Sequence, residues 1–167
     1  MENTEDDIIA GLKVAVSEVS GYMADQRHSL TILRDTAKSF FTAASVVISL
    51  VISLNLFFVK VEPSWRVPYW ILLALLILAY CGFTFFSIKG FLPTPITKPF
   101  PDDYDILTKN LCVPEIGRQA MILSSYLESM KFNRPIVIKK TNYVKWSAIL
   151  WGVIIILVIF MAAIPKV

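Results

Sequence analysis

Histidine, cysteine and glycine are scarce in this sequence of 167 residues. The sole histidine, His28, has no cysteine or second histidine nearby in the sequence with which to share a metal ion. The two cysteines, Cys81 and Cys112, fall in different segments and lack a paired spacing, so we expect neither a disulfide nor a zinc site. The six glycines are scattered and form no phosphate-binding loop. The sequence therefore predicts a protein without a metal or cofactor.

The residue sets that catalysis requires are also missing. The sequence has no serine nucleophile elbow, no paired-histidine zinc motif and no kinase signature. Charged residues make up only 17% of the chain, and its three long apolar runs contain none. Proton-coupled transporters and intramembrane aspartyl proteases need ionisable residues at such positions. We expect a protein that is not an enzyme and, at a net charge of +3, one that does not bind nucleic acid.

Long apolar segments are what the sequence has in abundance. Hydrophobic residues make up 56% of the chain, and the uncharged runs cover residues 40–59, 69–88 and 146–164. A helix rises about 1.5 Å per residue, so roughly 20 apolar residues cross a hydrocarbon core of about 30 Å. The sequence predicts an all-α integral membrane protein. It has three transmembrane helices, with amphipathic cytosolic helices before the first and the third.

Prolines and apolar periodicity divide the predicted chain into five segments. These are a cytosolic amphipathic helix over 1–39, a two-span transmembrane hairpin over 40–88, a Pro-rich cytosolic linker over 89–113, a second cytosolic amphipathic helix over 114–145, and a third transmembrane helix with a short outer tail over 146–167. Pro114 suits the first turn of the second amphipathic helix. Pro135 predicts a kink or break before the third span.

Lysine and arginine are distributed unevenly around the apolar runs. Four precede the first run and nine lie between the second and third, against two in the short hairpin 60–68. Basic residues in short flanking loops favour the cytoplasmic side of a membrane. We therefore predict a multi-pass inner-membrane protein with a cytoplasmic N-terminus and an outer C-terminus.

Apolar side chains alternate three and four residues apart along the first predicted helix, as in a coiled-coil seam. The seam residues are Leu12, Val16, Val19, Met23, Gln26, Leu30, Leu33 and Ala37. Only Gln26 is polar, and no proline separates this seam from the first apolar run. The stripe either covers the apolar stripe of the second cytosolic helix or mediates self-association into a homo-oligomer. That second stripe comprises Ile116, Ala120, Leu123, Leu127 and Met130.

Small hydroxyl side chains mark one face of the first apolar run. They are Thr42, Ser45, Ser49 and Ser53, with Asn55 beyond the last of them. Residues spaced three and four apart share a helix face. Such a face either packs closely against another helix or lines a pore.

Basic residues also gather where the cytosolic segments approach the membrane. We call the following set the basic collar: Arg34, Lys38, Lys131, Arg134, Lys139, Lys140 and Lys145. It is suited to anionic membrane lipids, since each basic residue near such a surface adds about 1 kcal/mol of attraction. The alternative is a phosphate-binding site for a nucleotide signal.

The order of these features resembles a group of small prokaryotic three-span membrane proteins of unknown function. The resemblance rests on a junction at Asp35 and Lys38, on Tyr126 followed by Asn133, and on a final span led by Lys140. The layout is also similar to the membrane effectors of Pycsar, CBASS and SLATT-type antiphage systems. This implies an oligomer that permeabilises the inner membrane in a defence or stress response. The alternative is a membrane scaffold or accessory subunit that docks a soluble protein partner through its cytosolic helices.

Overall fold

Three helices make up most of the computed structural model. The described residues are 5–53, 61–98 and 113–165. The helices are α1 (Glu5–Ser53), α2 (Arg66–Phe91) and α3 (Glu115–Ala163), with a 3-10 turn at Pro63–Trp65 directly before α2. Within these described ranges there is no β-strand. The predicted all-α class is therefore confirmed.

Helix α1 is a single helix of 49 residues. Its first turn contains Glu5, Asp6 and Asp7, whose negative charges suit the positive end of the helix dipole. It continues without interruption from the polar N-terminal part into the first apolar run, as the sequence predicted. The rest of that run, residues 54–59, lies outside the described residues.

Helix α3 is also continuous over 49 residues and contains Pro135 in its interior. It begins directly after Pro114, whose carbonyl accepts a hydrogen bond from the Arg118 N–H at 3.0 Å. Of the expected kink or break near Pro135, the break is wrong, because the helix continues through this residue. The predicted boundary at residues 145 and 146 lies inside the helix. A proline removes one helical hydrogen bond at a cost of about 3 kcal/mol, which long helical segments on both sides can absorb.

The chain forms two compact units, and α1 and α3 contribute residues to both. The first unit comprises Met1–Thr31 and Pro93–Ile138, and the second comprises Ile32–Leu92 and Lys139–Val167.

Buried side chains in the second unit recur every seven residues along each helix. They are Ala37, Ala44 and Val51 of α1, Tyr69, Leu76, Phe83 and Gly90 of α2, and Lys140, Ser147, Ile154 and Met161 of α3. This spacing is typical of helices that pack knobs into holes. The Phe83 ring lies against the Trp151 ring, with centroids 6.0 Å apart. The three helices therefore build the core of this unit from one pattern of buried residues, which repeats every seven positions.

Gly90 lies at a close approach between α2 and α1. A Cβ atom at this position would lie 3.0 Å from the Cβ of Ala37 and 3.5 Å from a methyl group of Val144. Small residues allow helix backbones to approach closely. A larger residue at position 90 would require the helices to move apart.

The apolar seam predicted along α1 is its less exposed face, since all eight of its residues are buried or partly buried. The stripe predicted at the start of α3 is correct only in part. Ala120 and Leu127 are exposed, whereas Ser129 and Asn133 are buried. Hydropathy alone places apolar residues inside, but a polar side chain can be buried when it is hydrogen-bonded. Asn133 meets that condition, as described below.

In the part of the chain that the structure describes, two helical segments, Pro63–Phe91 and Glu115–Ala163, are long and apolar enough to cross a membrane. Only 28% of the most apolar stretch in the first and 17% in the second is buried. Leu78, for example, is 73% exposed. A core helix of a soluble domain would have most of these side chains inside, because apolar surface is unfavourable in water. In their most apolar stretches, these helices thus expose many large apolar side chains.

Candidate functional site

The predicted hydroxyl face of α1 is exposed at Thr42, Ser45 and Ser49. Each hydroxyl donates to a carbonyl oxygen of its own helix. Thr42 bonds to Lys38 at 3.1 Å, Ser45 to Phe41 at 2.9 Å, and Ser49 to Ser45 at 2.9 Å. Such back-bonding satisfies a hydroxyl in an apolar environment. The Ser53 side chain and all of Asn55 lie outside the described residues.

A different pair of hydroxyls joins two helices of the second unit. Ser87 of α2 and Ser147 of α3 are fully buried, and their Oγ atoms are 2.7 Å apart. Interhelical hydroxyl bonds hold membrane helices at close distance. The pair is not apparent from the sequence because each serine is the only serine of its own apolar run. The available signal was that Ser147 is the only hydroxyl residue in residues 146–164.

Lys140 uses its ammonium group to bind the C-terminal end of α2. Its Nζ donates to the carbonyl oxygens of Lys89 at 2.8 Å, Gly90 at 3.2 Å and Leu92 at 2.6 Å. A protonated lysine has three N–H donors, so all three are engaged. A cation is favourable here because a helix C-terminus carries partial negative charge. Although Lys140 belongs to the basic collar, its ammonium group therefore binds the backbone of its own chain.

Lys140 lies six residues before the third apolar run, and the side chain is only 8% exposed. Burial is the main cause that lowers the pKa of Lys140, and the positive charges of Arg34 and Lys89 lower it further. The three carbonyl oxygens oppose this effect, since they bond to the protonated form.

Asn133 makes a reciprocal contact with the segment that follows α2. Its Oδ1 accepts from the Thr97 N–H at 3.1 Å, and its Nδ2 donates to the Thr97 carbonyl oxygen at 3.1 Å. The amide is 1% exposed. Asn133 thus satisfies both backbone groups of a residue in a proline-rich segment that has no helical or strand partner of its own.

The other collar residues are exposed and belong to different units. Arg34, Lys38, Lys139 and Lys145 belong to the second unit. Lys131 and Arg134 belong to the first, where they line a cavity of about 550 Å³ together with Tyr22, Gln26 and Met130. Sequence reasoning named Gln26 as the polar member of the seam but did not connect it with these basic residues.

The first unit also contains an ion pair between α1 and α3. Lys13 Nζ lies 2.7 Å from Glu115 Oε1. The hydrogen bond and charge of Lys13 lower the pKa of Glu115. Both side chains are well exposed, and exposed pairs contribute little to stability because water and salt screen them. The ion pair shows that the segments around Lys13 and Glu115 are neighbours, and it does not indicate a binding site.

Groups that hold metals are not clustered in the described parts of the chain, where no three His, Cys, Asp or Glu side chains come together. His28 and Cys81 are both exposed. Cys112 lies outside the described ranges.

Comparison with protein-family models, with curated proteins and with solved structures finds no match to this chain. The predicted resemblance to antiphage membrane effectors therefore stays a prediction. Two of the residues on which it rests, Asn133 and Lys140, bind backbone groups within their own units.

Replacing Asn133 by alanine is expected to accelerate amide hydrogen exchange at Thr97 about 5-fold, because the hydrogen bond that protects the Thr97 N–H, worth about 1 kcal/mol, is lost. Exchange is measured by mass spectrometry on the full-length protein, in the peptide that contains Thr97. The control is Asn142→Ala, since Asn142 is exposed on the same helix. Equal exchange in both variants would contradict the anchoring role of Asn133.

Proposed function

We propose that this chain is a three-span helical protein of the inner membrane that acts by binding and self-assembly rather than by catalysis. The observation that carries the proposal is the outward apolar surface of α2 and α3. Lipid tails can cover such a surface without a cost in free energy, whereas contact of the same surface with water is unfavourable. The N-terminus is proposed to lie in the cytoplasm and the C-terminus outside, in accordance with the distribution of lysine and arginine.

The activity we propose first is that of a signal-gated effector that permeabilises the membrane. Its support is the exposed position of Thr42, Ser45 and Ser49 on one face of α1. In a homo-oligomer, such faces from several copies can converge and offer hydroxyl groups to water or ions. A hydroxyl group that donates one hydrogen bond can still accept others, and Thr42 and Ser45 are of this kind.

The second candidate is a non-conducting scaffold that docks a soluble protein. Its support is the length of the first unit's helical segments, which present polar and basic side chains over residues 5–31 and 113–138. A scaffold and an effector differ in one measurable property, since only the effector changes the membrane potential.

Inducible expression in a bacterial host tests the effector function. Growth is recorded while a potential-sensitive dye follows the membrane potential. We expect rapid depolarisation with the wild-type chain and its loss in the variant with Ser45→Ala, Ser49→Ala and Ser53→Ala. The matched control replaces three serines in the N-terminal part of α1, Ser17, Ser20 and Ser29, and should behave as wild type.

Equal membrane insertion of all variants must be established by fractionation. A steady potential with the wild-type chain would show that expression alone does not open it, which leaves a missing signal or a scaffold function. Recovery of a defined soluble protein by residues 1–38 and 90–145, lost on mutation of those segments, would then support the scaffold. Depolarisation that persists in the Ser45, Ser49 and Ser53 variant would show that this face does not line the conducting path.

A further inference from the structure

The cavity of the first unit has the size and the lining of a small-ligand site. Its volume of about 550 Å³ falls within the range of roughly 300–1,000 Å³ that is usual for ligand pockets. Tyr22 and Gln26 come from α1, and Met130, Lys131 and Arg134 come from α3. Two helices therefore contribute to one concave surface, and the function proposed above assigns no role to it.

The charged groups of this cavity have one sign. Lys131 and Arg134 line it, and no acidic side chain does. Neither basic group forms an ion pair with a carboxylate among the residues that the structure describes. An arginine fork binds phosphate through two parallel hydrogen bonds, and a lysine adds a mobile positive charge. These two side chains thus favour a phosphate group.

The other lining residues are suited to an uncharged part of a ligand, which we call its body. Tyr22 offers an aromatic face and Met130 a flexible thioether, both of which pack against flat or apolar groups. Tyr22 is 63% exposed, so its ring is available at the cavity wall. A bare inorganic phosphate would leave these two side chains without a contact.

Gln26 contributes a hydrogen-bond acceptor that lacks a donor. Its Oε1 atom is buried and has no hydrogen-bond partner in the described part of the chain. A buried acceptor without a donor is unfavourable, and most such atoms in folded proteins are paired. A ligand in the cavity that carries an N–H or O–H group near its apolar body is of the kind that supplies such a donor.

We propose that this cavity binds an organic phosphate. Its phosphate group contacts Arg134 and Lys131, its body lies against Tyr22 and Met130, and an N–H or O–H of that body donates to Gln26. A free nucleotide and a phospholipid headgroup with hydroxyl groups share this chemistry. The proposal does not depend on whether the protein conducts ions.

The test uses the purified full-length chain and two probes. In the first arm, ADP is titrated into the protein in a phosphate-free neutral detergent, and binding is followed by calorimetry. In the second arm, the protein is placed in bilayer discs of phosphatidylcholine with phosphatidylglycerol, and retained lipid is counted by native mass spectrometry. Saturable binding in one arm identifies the source of the phosphate.

The variant Lys131→Gln with Arg134→Gln is expected to weaken the binding at least 10-fold. Tyr22→Ala should weaken it less, because it removes packing but leaves both charges. The matched control is Arg66→Gln with Lys89→Gln, which removes two exposed basic residues of the second unit that lie outside the basic collar, and it should leave binding unchanged. Circular dichroism must show equal helix content in all variants.

Three results would overturn the proposal. One is the absence of saturable binding in both arms up to millimolar probe. The second is equal binding by the wild type and the Lys131, Arg134 variant. The third is an equal loss in the control variant, which would indicate general attraction to basic surface rather than a site in the cavity.

Discussion

Replacing Lys140 by methionine should lower the free energy of unfolding by about 3 kcal/mol. A hydrogen bond to a charged group is worth about 1.5–3 kcal/mol, and the cost of burying the ammonium group offsets part of the three bonds that are lost. Methionine keeps most of the side-chain length but cannot donate to the carbonyl oxygens of Lys89, Gly90 and Leu92. Those carbonyls then remain at the end of α2 without their partner.

The measurement is the midpoint of thermal unfolding in detergent, which we expect to fall by about 6–12 °C for a chain of this size. The matched control is Lys139→Met, since Lys139 is the preceding residue on α3 and is exposed. The control should shift the midpoint by about 1 °C or less, as is usual for surface substitutions. Equal midpoints in the two variants would contradict the role of Lys140 as the residue that binds the end of α2.

Phe83→Ala should reduce stability by about 3 kcal/mol or more, which is the usual cost of emptying a fully buried phenylalanine site. The Phe83 side chain has no exposed surface and contacts the Trp151 ring. Close packing contributes to stability in water and in lipid alike, since a cavity loses its dispersion contacts in either solvent.

The same helix provides the control. Phe85 lies two residues further along α2 and is 55% exposed. Phe85→Ala should change stability by no more than about 0.5 kcal/mol. Unfolding of both variants in detergent, followed by tryptophan fluorescence and circular dichroism, measures the difference. A larger loss for Phe85→Ala than for Phe83→Ala would show that the wrong face of α2 has been assigned to the core.

The sequence predicted the features that depend on apolar periodicity. The seam of α1 could be identified because seven of its eight residues are apolar and the pattern repeats every seven residues. The continuity of α1 into the first apolar run followed from the absence of proline. These signals are local, so a single sequence contains them.

The contacts of Asn133 and Lys140 could not be predicted in the same way. Both side chains bind backbone groups that are 36 and 48–51 residues away in the sequence. Hydropathy classified Lys140 with the other basic residues near the membrane, although its environment differs from theirs. The resemblance singled out both positions but gave no physical reason for them.

The stripe at the start of α3 shows the limit of an apolar pattern. Leu127 fitted that pattern but is exposed, whereas Ser129 two residues later is buried. A weakly amphipathic helix allows more than one face to be placed inside, and a hydrogen bond such as that of Asn133 decides between them. The partners of Asn133 are the backbone N–H and carbonyl groups of Thr97. The side-chain types in the sequence therefore do not indicate this bond.

The central claim is that the apolar surface of α2 faces lipid, and a spin label at Leu78 tests it most directly. The chain carries Leu78→Cys with Cys81→Ser and Cys112→Ser, is labelled with a nitroxide and is reconstituted into phospholipid vesicles. Collision rates are measured with oxygen, which concentrates in lipid, and with a nickel chelate, which stays in water. If Leu78 faces lipid, we expect frequent collisions with oxygen and rare collisions with the chelate. Frequent collisions with the chelate would place Leu78 in water and contradict a membrane-spanning α2.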